Sequence, residues 1–106
     1  MSTLTSEQWA QATDVTVNAD ELTVDLLDGR TIIVPLVWYP RLVHGTSKER
    51  KNWRLIRHGE GIHWPDLDED ISVQNLLAGQ PSGESQRSFQ RWLESRSRKS
   101  RKSGKK

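Results

Sequence analysis

The sequence lacks cysteine, and only 33% of its 106 residues are hydrophobic. Without cysteine the chain can form neither a disulfide nor a thiolate zinc site. No apolar run reaches the roughly 18 residues that a membrane-spanning helix needs, and the first residues do not have the pattern of a signal peptide. We therefore expect a small cytoplasmic domain with one modest core, to which the five tryptophans contribute much of the buried area.

Acidic residues are absent from positions 96–106, which hold seven Lys and Arg residues. Residues 1–95 contain nine basic and fourteen acidic residues, a net charge of −5. Because a Ser, Arg and Lys composition cannot bury a core, we predict a disordered basic tail over residues 96–106. The tail is simply solvated, or it is a nucleic-acid arm that contacts phosphates, or it belongs to a helix-tail unit that docks on a protein and folds on binding. In the second case the contacts come from Arg96, Arg98, Lys99, Arg101, Lys102, Lys105 and Lys106.

The stretch 14–36 is rich in Val, Ile, Leu and Thr and contains the turn dipeptide Asp28-Gly29. A two-residue loop there would put the apolar side chains of the two flanking strands on opposite faces. A three-residue loop with a left-handed bulge at the glycine pairs Val24 with Ile32 and brings the apolar side chains together. We predict the bulged hairpin, with one buried face formed by Leu22, Val24, Leu26, Ile32 and Val34.

Helix signals occur on both sides of two further strand-like stretches. Capping patterns predict a short opening helix near Thr5 and Gln8, with Trp9 beneath it, and another at Thr46 and Glu49. "WYPRLVHG" and "SVQNLLAG" have the proline or serine that begins a helix and the glycine that ends one, whereas "RLIRH" and "IHW" suggest strands. "ESQRSFQRWLESR" predicts an amphipathic last helix, with Phe89, Trp92 and Leu93 on one face.

These patterns predict an α+β fold, in which a small antiparallel sheet packs with short helices and the chain ends in an amphipathic helix and a tail. The predicted division is an N-terminal segment at 1–11, an α+β domain at 12–79, a linker and C-terminal helix at 80–95, and the disordered basic tail at 96–106.

The stretch "GIHWPDLDED", residues 61–70, joins a histidine and a tryptophan to four carboxylates. A helix–loop–helix calcium site would need Gly and Glu where Ile71 and Leu77 stand, and the three histidines have no compact ligand spacing. We therefore expect no metal and no other cofactor. An acid/base pair of His63 with Asp66 or Asp68 is conceivable, but no nucleophile motif accompanies it.

A structural interpretation accounts for most of this stretch. Acidic side chains favour a helix N-terminus, so Asp68 or Asp70 is expected to serve the helix that begins at Ser72. Trp64 and Leu67 are expected to be buried, with proline fixing the turn between them.

Neither helix entry nor packing requires an imidazole at position 63. We therefore expect His63 to lie at the surface beside Arg54 or Arg57 and to bind a partner. Residues 41–58 carry a net charge of +5 and residues 60–70 a net charge of −5. These segments either neutralise one another, or the acidic segment faces outward and binds a basic partner.

Five stretches resemble the bacterial family known as domain of unknown function 2442. They are "LLDGRTIIVPL", "WYPRL", "NWRLI", "GEGIHWPDLDEDISVQNLLAG" and "PSGESQRSFQRWL", and together they extend from about residue 12 to residue 93. The resemblance implies a small α+β domain with an antiparallel sheet and packed helices. It implies no activity, and it suggests an antitoxin-like protein that binds another protein.

The sequence therefore predicts a non-catalytic domain that binds a macromolecule, with an antitoxin-like protein binder as the leading hypothesis. Electrostatic nucleic-acid binding through the tail is the alternative, and a small enzyme that uses His63 with an Asp is the third. No membrane contact is expected, and the oligomeric state stays open. The predicted binding residues are His63, Arg54, Arg57, Asp66, Asp68 and Glu69.

Overall fold

The computed structural model describes residues 11–104, with side chains up to residue 97, and contains two three-stranded antiparallel sheets with helices between and after them. The first sheet has the order β1 (Ala12–Val17), β2 (Glu21–Leu26) and β3 (Thr31–Pro35). The second has the order β4 (Arg54–Ile56), β5 (Gly61–Trp64) and β6 (Glu69–Ser72). The fold is α+β, as the sequence predicts.

The hairpin of the first sheet adopts the predicted bulged register. Val24 pairs with Ile32, and the backbone N–H of Leu26 donates to the carbonyl of Arg30 at 2.8 Å. Gly29 has a φ of +96°, the left-handed conformation that favours glycine. Ile32 is only half-buried at the edge of the apolar face, whereas the other members of the predicted set are buried: Leu22, Val24, Leu26 and Val34.

Two short helices connect the sheets. A 3-10 turn over Leu36–Trp38 leads into α1 (Pro40–His44), and α2 (Ser47–Lys51) follows directly. The predicted capping box is present, because the Glu49 N–H donates to the Thr46 hydroxyl at 3.1 Å and the Thr46 N–H donates to the Glu49 carboxylate at 2.9 Å. The capping box thus fixes where α2 begins.

The acidic run does not lead directly into a helix, which corrects the prediction for Asp68 and Asp70. The run passes through a tight turn and forms β6, and α3 (Val73–Leu77) begins only after it. The N-cap of α3 is the Ser72 side chain, which accepts from the Asn75 N–H at 3.3 Å. Pairing with β5 prevailed over helix entry, because it buries Ile71 while Asp70 faces the solvent side.

The last helix, α4 (Gln86–Gly104), extends further than the sequence pattern predicts. Arg96 belongs to this helix and not to a tail, since its guanidinium contacts both Glu49 and the ring of Trp92. Of the predicted tail, Lys105 and Lys106 lie outside the described residues, as does the predicted opening helix with Thr5, Gln8 and Trp9.

The core lies between the inner faces of the two sheets and the short helices. Trp64 and Leu67 are fully buried, as predicted, and the indole N–H of Trp64 donates to the Arg50 carbonyl at 2.9 Å. Over the described part of the chain, no helix is both long enough and apolar enough to cross a membrane. The largest fully buried side chains are Trp64, Leu22, Leu36, Leu42, Ile62, Leu67, Val24 and Val73.

Candidate functional site

The outer face of the second sheet carries a row of ionisable side chains. Arg54, His63 and Asp70 are direct neighbours across β4, β5 and β6. Side chains alternate along a strand, so the intervening Ile62 and Ile71 point into the core while this row faces outward. The strand pairing thus brings three side chains from distant parts of the sequence onto one flat surface.

Arg57 joins this row because Gly61, a residue on the same face, has no side chain. A Cβ atom placed on Gly61 would lie 2.6 Å from a terminal nitrogen of Arg57, so the guanidinium occupies the space that a side chain at position 61 would fill. Gly61 lies two residues before His63 and therefore on the same sheet face. We call the surface formed by Arg54, Arg57, His63 and Asp70 the polar face.

His63 is held in a defined orientation on the polar face. Its Nδ1 atom contacts a carboxylate oxygen of Asp70, and 22% of the imidazole is exposed. A carboxylate at Nδ1 favours the tautomer that carries its proton there, which leaves Nε2 as a hydrogen-bond acceptor; in the protonated ring Nε2 is a donor. Within residues 11–97 Nε2 has no hydrogen-bond partner, so it can serve a ligand in either state.

The two arginines of the polar face have no carboxylate partner among the described side chains. Arg54 and Arg57 are both exposed. Arg50 of the same basic segment is, in contrast, engaged: it donates to the carbonyls of Leu42 and Val43 at 2.8 and 3.0 Å, which caps the end of α1. The polar face therefore has cationic groups that remain available for a ligand.

The turn beside the polar face is strained. Arg57 and His58 have φ values of +51° and +57°, and Gly59 follows at +88°. Non-glycine residues in this conformation cost free energy, and such outliers cluster at functional sites. Gly59 also packs closely on β1, because a Cβ there would lie 2.7 Å from the Ala12 carbonyl oxygen. The fold thus keeps Arg57 and His58, two exposed basic residues, in a backbone conformation that is unfavourable for residues other than glycine.

Three predicted site residues lie away from the polar face. Asp66 accepts from the Asn52 amide at 2.9 Å in the turn between β5 and β6. Asp68 has a φ of +50°, and its carboxylate lies 3.7 Å from Arg41. Glu69 points to the inner side of β6, where it lines a shallow pocket with Tyr39. Of the six predicted site residues, only Arg54, Arg57 and His63 therefore share a surface.

The pocket environment shifts the pKa values of two residues that line it, Glu69 and Tyr39. Burial raises the pKa of Glu69 to about 7, and the nearby carboxylates of Glu84, Asp70 and Asp68 add to this effect while Arg41 opposes it. Burial, with a smaller contribution from Glu69, raises the pKa of Tyr39 to about 12. At neutral pH the Glu69 carboxyl is therefore partly protonated.

Two important residues were not found from the sequence. The run of acidic residues assigns Asp70 to a helix N-terminus, although the polar–apolar alternation of "EDIS" is typical of a strand and fits its position opposite His63. In the sequence pattern Arg41 is only one charge of the basic segment 41–58. Its guanidinium joins Glu84 at 2.9 Å, the Asp68 carbonyl at 2.8 Å and the ring of Trp92, and no local pattern predicts contacts so distant in sequence.

The comparisons with known proteins agree with this architecture. The model of the family described as protein of unknown function (DUF2442) matches residues 12–82, so the match ends before α4 and not at residue 93 as the resemblance had suggested. A crystal structure of a protein of unknown function from Rhodospirillum rubrum is similar, with 25% sequence identity and a TM-score of 0.62. The similarity covers 70% of this chain and 92% of that chain.

No curated protein matches this chain. The family match covers both sheets, the polar face and the pocket, and the similar crystal structure has a comparable fold. The chain belongs to the family of proteins of unknown function DUF2442.

Proposed function

We propose that this domain is a cytoplasmic, non-catalytic binder of another bacterial protein, in the manner of an antitoxin, and that the polar face is its contact surface. The observation that carries the proposal is the strained turn that presents Arg57 beside Arg54, with neither guanidinium neutralised by a described side chain. Exposed cations on a rigid sheet, next to a backbone conformation that costs free energy, are expected at a binding site.

The chemistry of the polar face suits a partner that presents carboxylates. A guanidinium binds a carboxylate through two parallel hydrogen bonds, and Nε2 of His63 can donate a further one when the ring is protonated. Asp70 contacts His63 and forms no ion pair with either arginine, so the two guanidinium groups outnumber the carboxylate on this face. Because residues 1–95 as a whole carry −5, this local excess of positive charge also orients an acidic partner toward one surface of the domain.

A binding role accounts for these residues better than catalysis. The His63–Asp70 pair has the arrangement that orients a general base, but Ser72, the serine nearest in sequence, already accepts a hydrogen bond from the backbone at the start of α3. The third hypothesis from the sequence, a small enzyme, would thus need a nucleophile other than Ser72, such as a water that His63 deprotonates.

The proposal is tested by affinity capture from bacterial lysate with nuclease added, followed by quantitative mass spectrometry. We expect the wild-type chain to retain a specific protein that Arg54→Gln/Arg57→Gln loses. Arg30→Gln is the matched control, because Arg30 is an exposed arginine on the other sheet. Equal retention by all three chains, or retention that disappears with nuclease, would contradict the proposal.

Nucleic-acid binding through α4 is a second candidate, and the charge of this helix favours it. Residues 86–104 hold seven Lys and Arg residues and one Glu in a continuous helix. Deletion of residues 98–106 leaves the Arg96–Glu49 contact intact and should abolish binding to DNA or RNA. Binding that survives the deletion, or whose logarithm does not fall with the logarithm of salt concentration by about 0.9 per phosphate contact on duplex DNA, would exclude this candidate.

A further inference from the structure

The last helix rests on the surface of α1 and α2 through one stripe of side chains. Phe89, Trp92 and Arg96 have the spacing i, i+3 and i+7, so they lie on the same side of α4. The Phe89 ring meets the imidazole of His44 edge to face, with 5.2 Å between centroids, and stacks on Trp92 at 5.7 Å. The contact is thus a line of aromatic and charged groups.

Two guanidinium groups contact the ring of Trp92. Arg41 lies 5.1 Å and Arg96 4.8 Å from the ring centroid. Each arginine also pairs with a carboxylate across the contact: Arg41 donates to Glu84 at 2.9 Å and Arg96 to Glu49 at 2.9 Å. The two ion pairs have opposite polarity. Arg41 of α1 is the cation for Glu84, which lies just before α4, whereas Glu49 of α2 is the anion for Arg96 of α4.

This contact does not contribute a fully buried residue to the core. Phe89, Trp92 and Leu93 are half-buried, with Trp92 packed against the edge of the core, and among the described residues every buried core residue lies between Ala12 and Leu76. The Arg41 and Glu84 side chains are 13% and 11% exposed, and those of Arg96 and Glu49 are 28% and 22% exposed, so both ion pairs are partly buried. The helix is therefore held by two ion pairs and by half-buried aromatic rings, on a domain whose described fully buried residues all precede it.

The connection before α4 is short, and none of its hydrogen bonds within the described residues goes to a strand. Gly79 has a φ of +72°, and Pro81 and Gly83 follow before the helix begins. Within it the Ser82 N–H donates to the Trp38 carbonyl at 3.0 Å, and the family match ends at this residue. The helix is thus joined to the family domain by a segment that can open without disturbing a strand.

We propose that the surface of α1 and α2 formed by Arg41, His44 and Glu49 is a docking site for an amphipathic helix, and that α4 occupies it as a displaceable occupant from the same chain. This goes beyond the polar face, which lies on the second sheet. The partner that fits is a helix with two aromatic residues at i and i+3 and an arginine four residues after the second. A carboxylate a few residues before the first aromatic would bind Arg41, as Glu84 does.

The test uses the full-length chain and a fluorescently labelled peptide of residues 83–104. In Phe89→Ala/Trp92→Ala the resident helix should be released, which hydrogen exchange of its amides would report. A tethered occupant has an effective concentration on the order of millimolar, so we expect the peptide to bind this variant at least about tenfold more tightly than the wild type. Adding Arg41→Met to the variant should abolish binding.

A peptide that carries the same two alanines is the matched control, since it keeps the charge of the probe. Equal binding of both peptides would show attraction to the acidic body alone and would overturn the proposal. Unchanged hydrogen exchange in the double variant, or equal affinity for the variant and the wild type, would also overturn it. A cooperative melting curve of the double variant is the check that its core remains folded.

Discussion

The two sheets have the same number of strands and the same antiparallel order, but they differ in the residues that take strained backbone conformations and in the charge of their outer faces. In the first sheet the left-handed position of the hairpin is a glycine, and the outer face carries mainly Thr and Asp side chains. In the second sheet Arg57, His58 and Asp68 take left-handed φ values. The outer face there carries the arginines and the imidazole.

This difference indicates that the first sheet is a structural scaffold, whereas the second sheet presents the polar face. A turn made of Asp28-Gly29 follows local preferences, so it forms the hairpin at little cost. A turn made of Arg57 and His58 contradicts local preferences and persists only because Gly59 is packed on β1 and β5 is paired on both sides. The stability of the first sheet therefore supports the second, where the polar face lies.

The largest effect is expected where the second sheet meets the core. Trp64→Ala removes a fully buried indole and its 2.9 Å hydrogen bond to Arg50, so the free energy of unfolding should fall by about 3–5 kcal/mol. Urea denaturation measures it. Trp92→Ala, which truncates a half-buried tryptophan at the edge of the core, is the control and should cost less. Equal losses would mean that α4 is part of the core.

The strained turn should tolerate substitution less well than the relaxed one. Gly59→Ala combines a φ of +88° with a contact of 2.7 Å to the Ala12 carbonyl, and should cost about 2–4 kcal/mol. Gly29→Ala has a similar φ but open space around the new methyl group, so its cost should be roughly 1–2 kcal/mol. Thermal melting compares the two. If Gly29→Ala proved the more harmful, the contrast between the turns would be wrong.

Glu69 should make the inner side of β6 sensitive to pH. Its folded pKa of about 7 lies above the ordinary value, so the protonated form is favoured on folding. This contribution is fully present below pH 4 and is lost as the pH rises through 7. Glu69→Gln should therefore raise the free energy of unfolding by about 1–3 kcal/mol at pH 8 and leave it nearly unchanged at pH 4. A gain of the same size at both pH values would mean that burial of the charge is not the cause.

The smallest effect on stability is expected on the polar face itself. His63→Ala should change the free energy of unfolding by no more than about 1 kcal/mol, because the imidazole is partly exposed and loses one hydrogen bond to Asp70. Partner capture should nevertheless weaken. Thr23→Ala, at the matching position of the first sheet, should leave capture unchanged. If His63→Ala unfolds the domain, the imidazole is structural and the polar face needs another explanation.

Local patterns predicted the first sheet better than the second. The hairpin register follows from Asp28-Gly29 and from the alternation of apolar residues, both of which lie within twenty residues. The three-residue hairpin loop and the capping box of α2 are equally local. The acidic run was misread because its charges favour a helix start when judged alone, whereas β6 forms only because β5 offers a pairing edge.

By itself the sequence determined the fold class, the hairpin register, the burial of Trp64 and Leu67, and the excess of positive charge at the C-terminal end. Tertiary structure alone decided that Asp70 binds His63, that Arg57 occupies the space above Gly61, and that Arg41 joins α4 to the domain. The two sets of features differ in how far apart in the sequence the interacting residues lie. Turn preferences, capping and alternation act over a few residues, whereas these contacts depend on backbone segments that only the packed core brings together.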